Sequence, residues 1–297
     1  MTLFIMIATG YGISKAGMLS HGTRTDLTNI VVYVILPCSI FSSFHKGITT
    51  DVLLQCAVVL LVSFGLQLLV IILNKILYVR FPHDRRVVLQ FATITNNSSF
   101  MGLPIMGAVY GQTGILFGSI MLIPMRIFLW TAGLSLFARM DKKESAKVIA
   151  THPCIWAVAL GLAYIFIPFE LPAFLSEAIK LVGDAVNVLP MFIIGSILSD
   201  VNPKELLDRD CYYYSLIRLI IIPAIMFGAL KLLRADPMVI GVAVLAAAMP
   251  AAVTTGMLSE KYGQDSAFAS KIILVSIMLS IITLPVAAAL LHLFSPV

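Results

Sequence analysis

The chain has 297 residues, 60% of them hydrophobic and 12% charged, with a mean hydropathy of +1.00 and a net charge of +5. Soluble domains carry about a quarter charged residues, so an ordinary soluble fold is excluded. Apolar runs long enough to cross about 30 Å of hydrocarbon recur from end to end, which reads as an all-α polytopic membrane protein.

In chain order the approximate spans are 1–14, 25–45, 52–78, 87–110, 113–138, 153–169, 181–199, 212–230, 238–259 and 266–294. The first, Thr2 to Ile13, is short for a full crossing at ~1.5 Å per residue. It is expected to be short, tilted or missing a few residues. Residues 171–180 read as an amphipathic lead-in at the membrane surface. The linker between the fifth and sixth spans is 139–152.

The fourth span is unlike the rest. It contains Asn96-Asn97-Ser98-Ser99-Phe100-Met101-Gly102-Leu103-Pro104, with two amides, two hydroxyls, a glycine and a proline in membrane-grade sequence. Proline removes a helical hydrogen bond, and irregular backbone persists at membrane depth only where it packs against protein or lines a cavity. The ninth span has a second break, Ala247 to Gly256, with Pro250, Thr254 and Thr255 inside it. Broken helices near the midplane are where secondary transporters hold substrates.

Lysine and arginine set the orientation. Lys15, Arg24, Lys75, Arg80, Arg85, Arg86, Arg139, Lys142, Lys143, Lys147, Lys204, Arg209 and Lys261 fall on one side of the alternating spans. Only Lys46, Lys180, Lys231 and Arg234 fall on the other. The positive-inside rule makes the first set cytoplasmic and both termini external, in a multi-pass protein of the cell membrane. The net charge therefore reports topology, and nucleic acid is not an expected partner.

The two halves echo one another. Tyr110-Gly111-Gln112 recurs as Tyr262-Gly263-Gln264, and the proline of Val34-Ile35-Leu36-Pro37 has a counterpart in Asn187-Val188-Leu189-Pro190. With five spans each, the halves (1–138 and 153–297) would form an inverted repeat in which spans four and nine are partners.

In order and spacing these residues resemble the auxin efflux carrier family, which includes plant PIN-type exporters and bacterial malate and malonate permeases. The resemblance rests on Asn97 through Pro104 with Tyr110-Gly111 after it, on Met249-Pro250 with Glu260-Lys261-Tyr262, and on Ile217-Arg218-Leu219 with Pro223-Ala224. It covers essentially the whole chain. It implies ten helices in one membrane-embedded domain, with spans 1, 2, 6 and 7 as scaffold and spans 3–5 and 8–10 as a mobile transport domain. It also implies that helices four and nine cross at Pro104 and Pro250, near Gly102, with Asn97 facing the substrate. The scaffold helices would be the candidate surface for a homodimer. Two departures stand out: the linker is short, and span three has no acidic residue between Asp51 and Asp84.

The expected substrate site therefore comprises Asn96, Asn97, Ser98, Ser99, Arg126, Thr254 and Thr255. The plainer alternative for the asparagines is interhelical glue, against which their clustering with Ser98, Ser99 and a downstream Gly-x-Pro favours a site; for the threonines it is a bond to their own helix. Arg126 lies deep in its span with no acidic residue at comparable depth. It is read either as counter-ion for a substrate carboxylate or as a cap on the carbonyls of a broken helix. Arg218, a turn or two from the cytoplasmic end of its span, is expected to snorkel. His21, His45, His83, His152 and His292 lie at span ends or in loops without metal-ligand spacing, and Cys38, Cys56, Cys154 and Cys211 are isolated.

The expected function is secondary transport of small organic anions such as carboxylates, by an elevator-type movement. A sodium-coupled symporter of the bile-acid type and an ion channel are the alternatives. No resident cofactor or structural metal is expected. Na+ or H+ are the candidate coupling ions, with sodium placed near Asn96, Ser98 and Thr254. The chain lacks HExxH, GxSxG, paired intramembrane aspartates and a Walker A motif, which argues against an enzyme or an ATP-driven pump.

Overall fold

The computed structural model describes residues 2–44, 50–137, 151, 153–167, 170–199 and 208–294. The linker 139–152, with Arg139, Lys142, Lys143 and Lys147, lies outside the described residues apart from Thr151, and so do Lys46 and Lys204.

The described residues are helical: α1 (Thr2–Lys15), α2 (His21–Ile30), α3 (Leu36–Ser43), α4 (Thr50–Leu77), α5 (His83–Ile94), α6 (Leu103–Phe128), α7 (Pro153–Phe166), α8 (Ala173–Asp184), α9 (Leu189–Ser199), α10 (Arg209–Leu216), α11 (Ile222–Leu232), α12 (Pro237–Ala247), α13 (Thr254–Lys261) and α14 (Ser266–Phe294). Among the described residues, six helical stretches are long and apolar enough to cross a membrane: 22–42, 51–77, 98–128, 173–196, 209–232 and 266–294. One of these is composite. At Gly111, φ 62° and ψ −149° interrupt α6, so the expected division between spans four and five falls inside it. The lead-in predicted at 171–180 is a longer helix, α8, which continues through a 3-10 turn into α9.

Three prolines that would be expected to break helices do not. Pro37, Pro104 and Pro223 each follow a π-helical turn, at Val31–Ile35, Ser98–Gly102 and Ile217–Ile221. A proline lacks an N–H and its ring crowds the carbonyl four residues back. The wider π turn just before it makes room, and the chain continues as helix.

The chain divides into two compact units. The first comprises residues 1–56, 99–120 and 150–201. Its tightest packing is between α1 and α9, where Gly10 lies on the backbone of Phe192 and Gly195 on the backbone of Ile7 and Tyr11. Small residues at such a crossing let helix backbones touch, which is how apolar helices associate without help from water. Beside it Arg24 donates to the hydroxyl and carbonyl of Ser196 at 3.0 and 3.1 Å, and Ser196 and Ser199 both bond Ser14.

The second unit comprises residues 57–98, 121–149 and 202–297. At its centre α12 is buried from Val239 to Ala247, a helix that is apolar on all sides. At about 16 Å it spans only half a bilayer. Outward-facing side chains of α4 and α14, among them Leu61, Ile72, Ile282 and Leu293, are apolar and exposed, as lipid contact requires. Three loops of this unit meet at Arg85, whose guanidinium contacts Asp210 at 2.6 Å, Asp208 at 3.4 Å and Asp265 at 3.6 Å and stacks over Phe268.

Candidate functional site

Within the second unit, two half-length helices stop short of a full crossing and their ends meet. Helix α5 ends at Ile94, and Thr95 is extended (φ −111°, ψ 126°). Helix α12 ends at Ala247, and the chain stays non-helical until α13 starts at Thr254. The two breaks run antiparallel, joined by a bridge between Asn96 and Ala251 and a 2.9 Å hydrogen bond from the Asn97 N–H to the Pro250 carbonyl. The residue that crosses Pro250 is thus Asn97. Pro104, the expected crossing partner, lies further along, just after the π turn Ser98–Gly102 in chain that continues as α6.

A broken helix leaves carbonyls without intrahelical partners, and each buried one needs a donor. Here side chains supply them. Tyr214 Oη donates to the Ala92 carbonyl at 2.9 Å, and Arg218 Nη1 donates to the Thr93 carbonyl at 3.2 Å. On the other break, Arg218 Nε donates to the Met249 carbonyl at 3.1 Å and Asn96 Nδ2 to the Ala246 carbonyl at 2.7 Å. The Ala251 N–H donates to Ser276 Oγ at 3.1 Å. Asn96 Oδ1 receives the backbone N–H and the hydroxyl of Ser98, capping the turn that follows. Asn96 is therefore a clamp, engaged at both ends of its amide.

Arg218 is the functional residue that sequence reasoning misjudged. It is 1% exposed and does not snorkel. It ties the ends of both half-helices together, the capping role considered for Arg126. A usable signal was present: Tyr214 and Arg218 are four residues apart on one helical face and serve consecutive carbonyls of α5. No carboxylate among the described residues forms an ion pair with Arg218.

The polar groups without partners are as informative as those that are paired. Asn97 is 3% exposed, its backbone holds the crossing, and its side-chain Nδ2 has no partner. Thr255, fully buried in the first turn of α13, has an unpartnered hydroxyl, and so does Ser259 one turn later. Thr254 is exposed, Ser99 half-buried and Gly102 buried. Arg126 is half-buried in the last turn of α6. The structure thus brings Asn96, Asn97, Ser98 and Pro250 together at one crossing, and Thr254 and Thr255 follow it along the chain. Ser99, Gly102 and Pro104 belong to the first unit.

Comparison with known proteins adds to this geometry. A family described as membrane transport protein matches residues 1–288. An uncharacterized transporter of Methanocaldococcus jannaschii is 24% identical over 275 residues, covering 89% of this chain and 88% of the relative. An uncharacterized transporter of Methanothermobacter thermautotrophicus is 24% identical over 98% of this chain and 97% of its own length. A Rhizobium meliloti protein described as "Putative malonate transporter" is 32% identical over 139 residues, which is 46% of this chain and 43% of that protein.

Proposed function

The chain belongs to this membrane transport protein family, the auxin efflux carrier group that its sequence resembles, and we propose that it is a secondary transporter of small organic anions. The carrying observation is Asn97 Nδ2, a buried donor without a partner at the crossing of two broken helices. A carboxylate oxygen is the acceptor such a donor suits. Arg218 adds a positive charge to the crossing, and Arg126 and the Thr255 hydroxyl would orient the anion. The relative named for malonate supports dicarboxylates as the first class to try.

The finer architecture in this reading is ten spans in two inverted repeats, with spans 1, 2, 6 and 7 as scaffold and the rest moving as an elevator. Gly111 and Gly263, at equivalent places in the two halves (263 − 111 = 152), both adopt positive φ, 62° and 65°. Asn97 and Pro250, which bond each other, are 153 positions apart (250 − 97). Matching devices at nearly one offset support an internal repeat.

Purified protein in liposomes should take up labelled malonate saturably, faster when the lumen is preloaded with unlabelled malonate. Asn97→Ala should reduce this exchange more than 10-fold, the loss of one charge-assisted bond in a dry site being worth about 1.5–3 kcal/mol. Stepwise conductance without exchange would favour a channel, and undiminished exchange by Asn97→Ala would remove the site.

A further inference from the structure

We propose that a second buried site, between α4 and the Asn96–Ser98 break, holds a small monovalent cation of sodium's size. Its existence does not depend on the transport reading, although a role in coupling would rest on it. Gln67 lies well inside α4, a 28-residue helix of otherwise mostly apolar residues. It is 4% exposed, and its Oε1 has no hydrogen-bond partner. A cavity of about 10 Å³ lies against it, lined by Ser63, Gln67, Asn96, Ser98, Met121 and Met125 among others. That volume holds one water-sized or sodium-sized occupant.

The hydrogen bonds around this cavity determine what it can accept. Ser63, one turn before Gln67 on the same face of α4, donates its proton to the Met121 carbonyl at 2.8 Å. Ser98 donates its proton to Asn96 Oδ1, and Asn96 donates from Nδ2 to the Ala246 carbonyl. With these protons committed elsewhere, the two hydroxyls and Gln67 Oε1 offer the cavity oxygen lone pairs. A water has two protons for three such acceptors, whereas a cation satisfies all of them at once. No carboxylate lines the cavity, so a divalent ion would lack the charged oxygens it normally takes. Thr254, expected from the sequence beside a sodium ion, does not line it. Gln67 and Ser63 take its place.

The test is thermal unfolding of the purified full-length protein in NaCl, KCl and choline chloride at equal ionic strength, without organic anion. Sodium alone should raise the melting temperature in a saturable way. Gln67→Leu should unfold at the same temperature in all three salts. If that variant does not fold, Gln67→Glu decides: one added negative charge should lower the half-saturating sodium concentration roughly 10-fold. Equal melting temperatures of the unaltered protein in all three salts would mean a bound water only and overturn the proposal, as would a sodium response that survives Gln67→Leu. A malonate titration in choline chloride keeps the two readings separate. Malonate stabilisation without a sodium effect removes the cation site and leaves the transporter, and a sodium effect without any dicarboxylate effect does the reverse.

Discussion

Asn96 and Asn97 are neighbours of the same residue type, and their environments give them opposite roles. Asn96 donates to the Ala246 carbonyl and accepts from Ser98, so Asn96→Ala should leave buried groups unpaired and cost about 1–3 kcal/mol. Asn97 Nδ2 is unpartnered, so Asn97→Ala should leave the ligand-free protein as stable as before or slightly more so, while abolishing stabilisation by malonate. Melting curves of both variants, with and without malonate, check this pair. A ligand-free Asn97→Ala protein that melts lower than Asn96→Ala would reverse the assignment. The arginines carry the same lesson. Arg218→Met removes donors from the Thr93 and Met249 carbonyls, with an expected cost of roughly 2–4 kcal/mol, read as a lower melting temperature. The sequence made a buried, capping arginine legible as a type but not as a position. Depth along a helix can be counted, whereas the direction of a side chain depends on neighbours such as Tyr214 that only the fold supplies.

At the scale of elements, the polar breaks were legible because amides and prolines are out of place in apolar sequence, and the chain is non-helical at 95–97, at the leading edge of the first segment, and at 248–253, across the centre of the second. The mechanism of the breaks was less legible. Proline was expected to mark the crossing, yet three prolines sit just after π turns in chain that continues as helix, and the true break falls at Thr95. Turn chemistry was read better. The Tyr-Gly-Gln repeat picks out Gly111 and Gly263, which both adopt positive φ. Gly111 adopts φ 62° and ψ −149°, a region essentially restricted to glycine, with open space where a Cβ would stand. Gly111→Ala should therefore cost about 1–3 kcal/mol through backbone strain alone. At Gly195 the opposite holds. Its backbone conformation is ordinary, and the cost of Gly195→Ala would come from pushing α9 off α1, because the new methyl group meets the backbone of Ile7 and Tyr11. Crystal structures of the two variants would separate the causes: a locally altered turn at 111, a widened helix pair at 195.

For the whole molecule, the charge count and the fold group the same three loops by independent routes. The sequence places the loops carrying Arg85, Arg209 and Lys261 on one side, because they belong to the set of thirteen lysines and arginines that faces only four on the other. The structure joins the same three loops, since Arg85 meets Asp208 and Asp210 at the start of α10 and Asp265 just before α14. The rings of Tyr78, Phe81 and Tyr213 pack there too, adding the end of α4 to that face of the second unit. From this face α10, its π turn and α11 run 24 residues, about 36 Å, to the exposed turn at Arg234. A length of this kind matches one crossing of a bilayer, so the Arg85 and Arg234 loops should lie on opposite sides of the membrane. On a background with its four native cysteines replaced, Arg234→Cys should react with an impermeant maleimide in intact cells. His83→Cys, exposed beside the ion cluster, should react only after permeabilisation, because positively charged loops are retained in the cytoplasm. The opposite labelling pattern would invert the topology while leaving the fold intact. Labelling of both sites in intact cells would mean that the 24-residue helix does not cross the membrane at all.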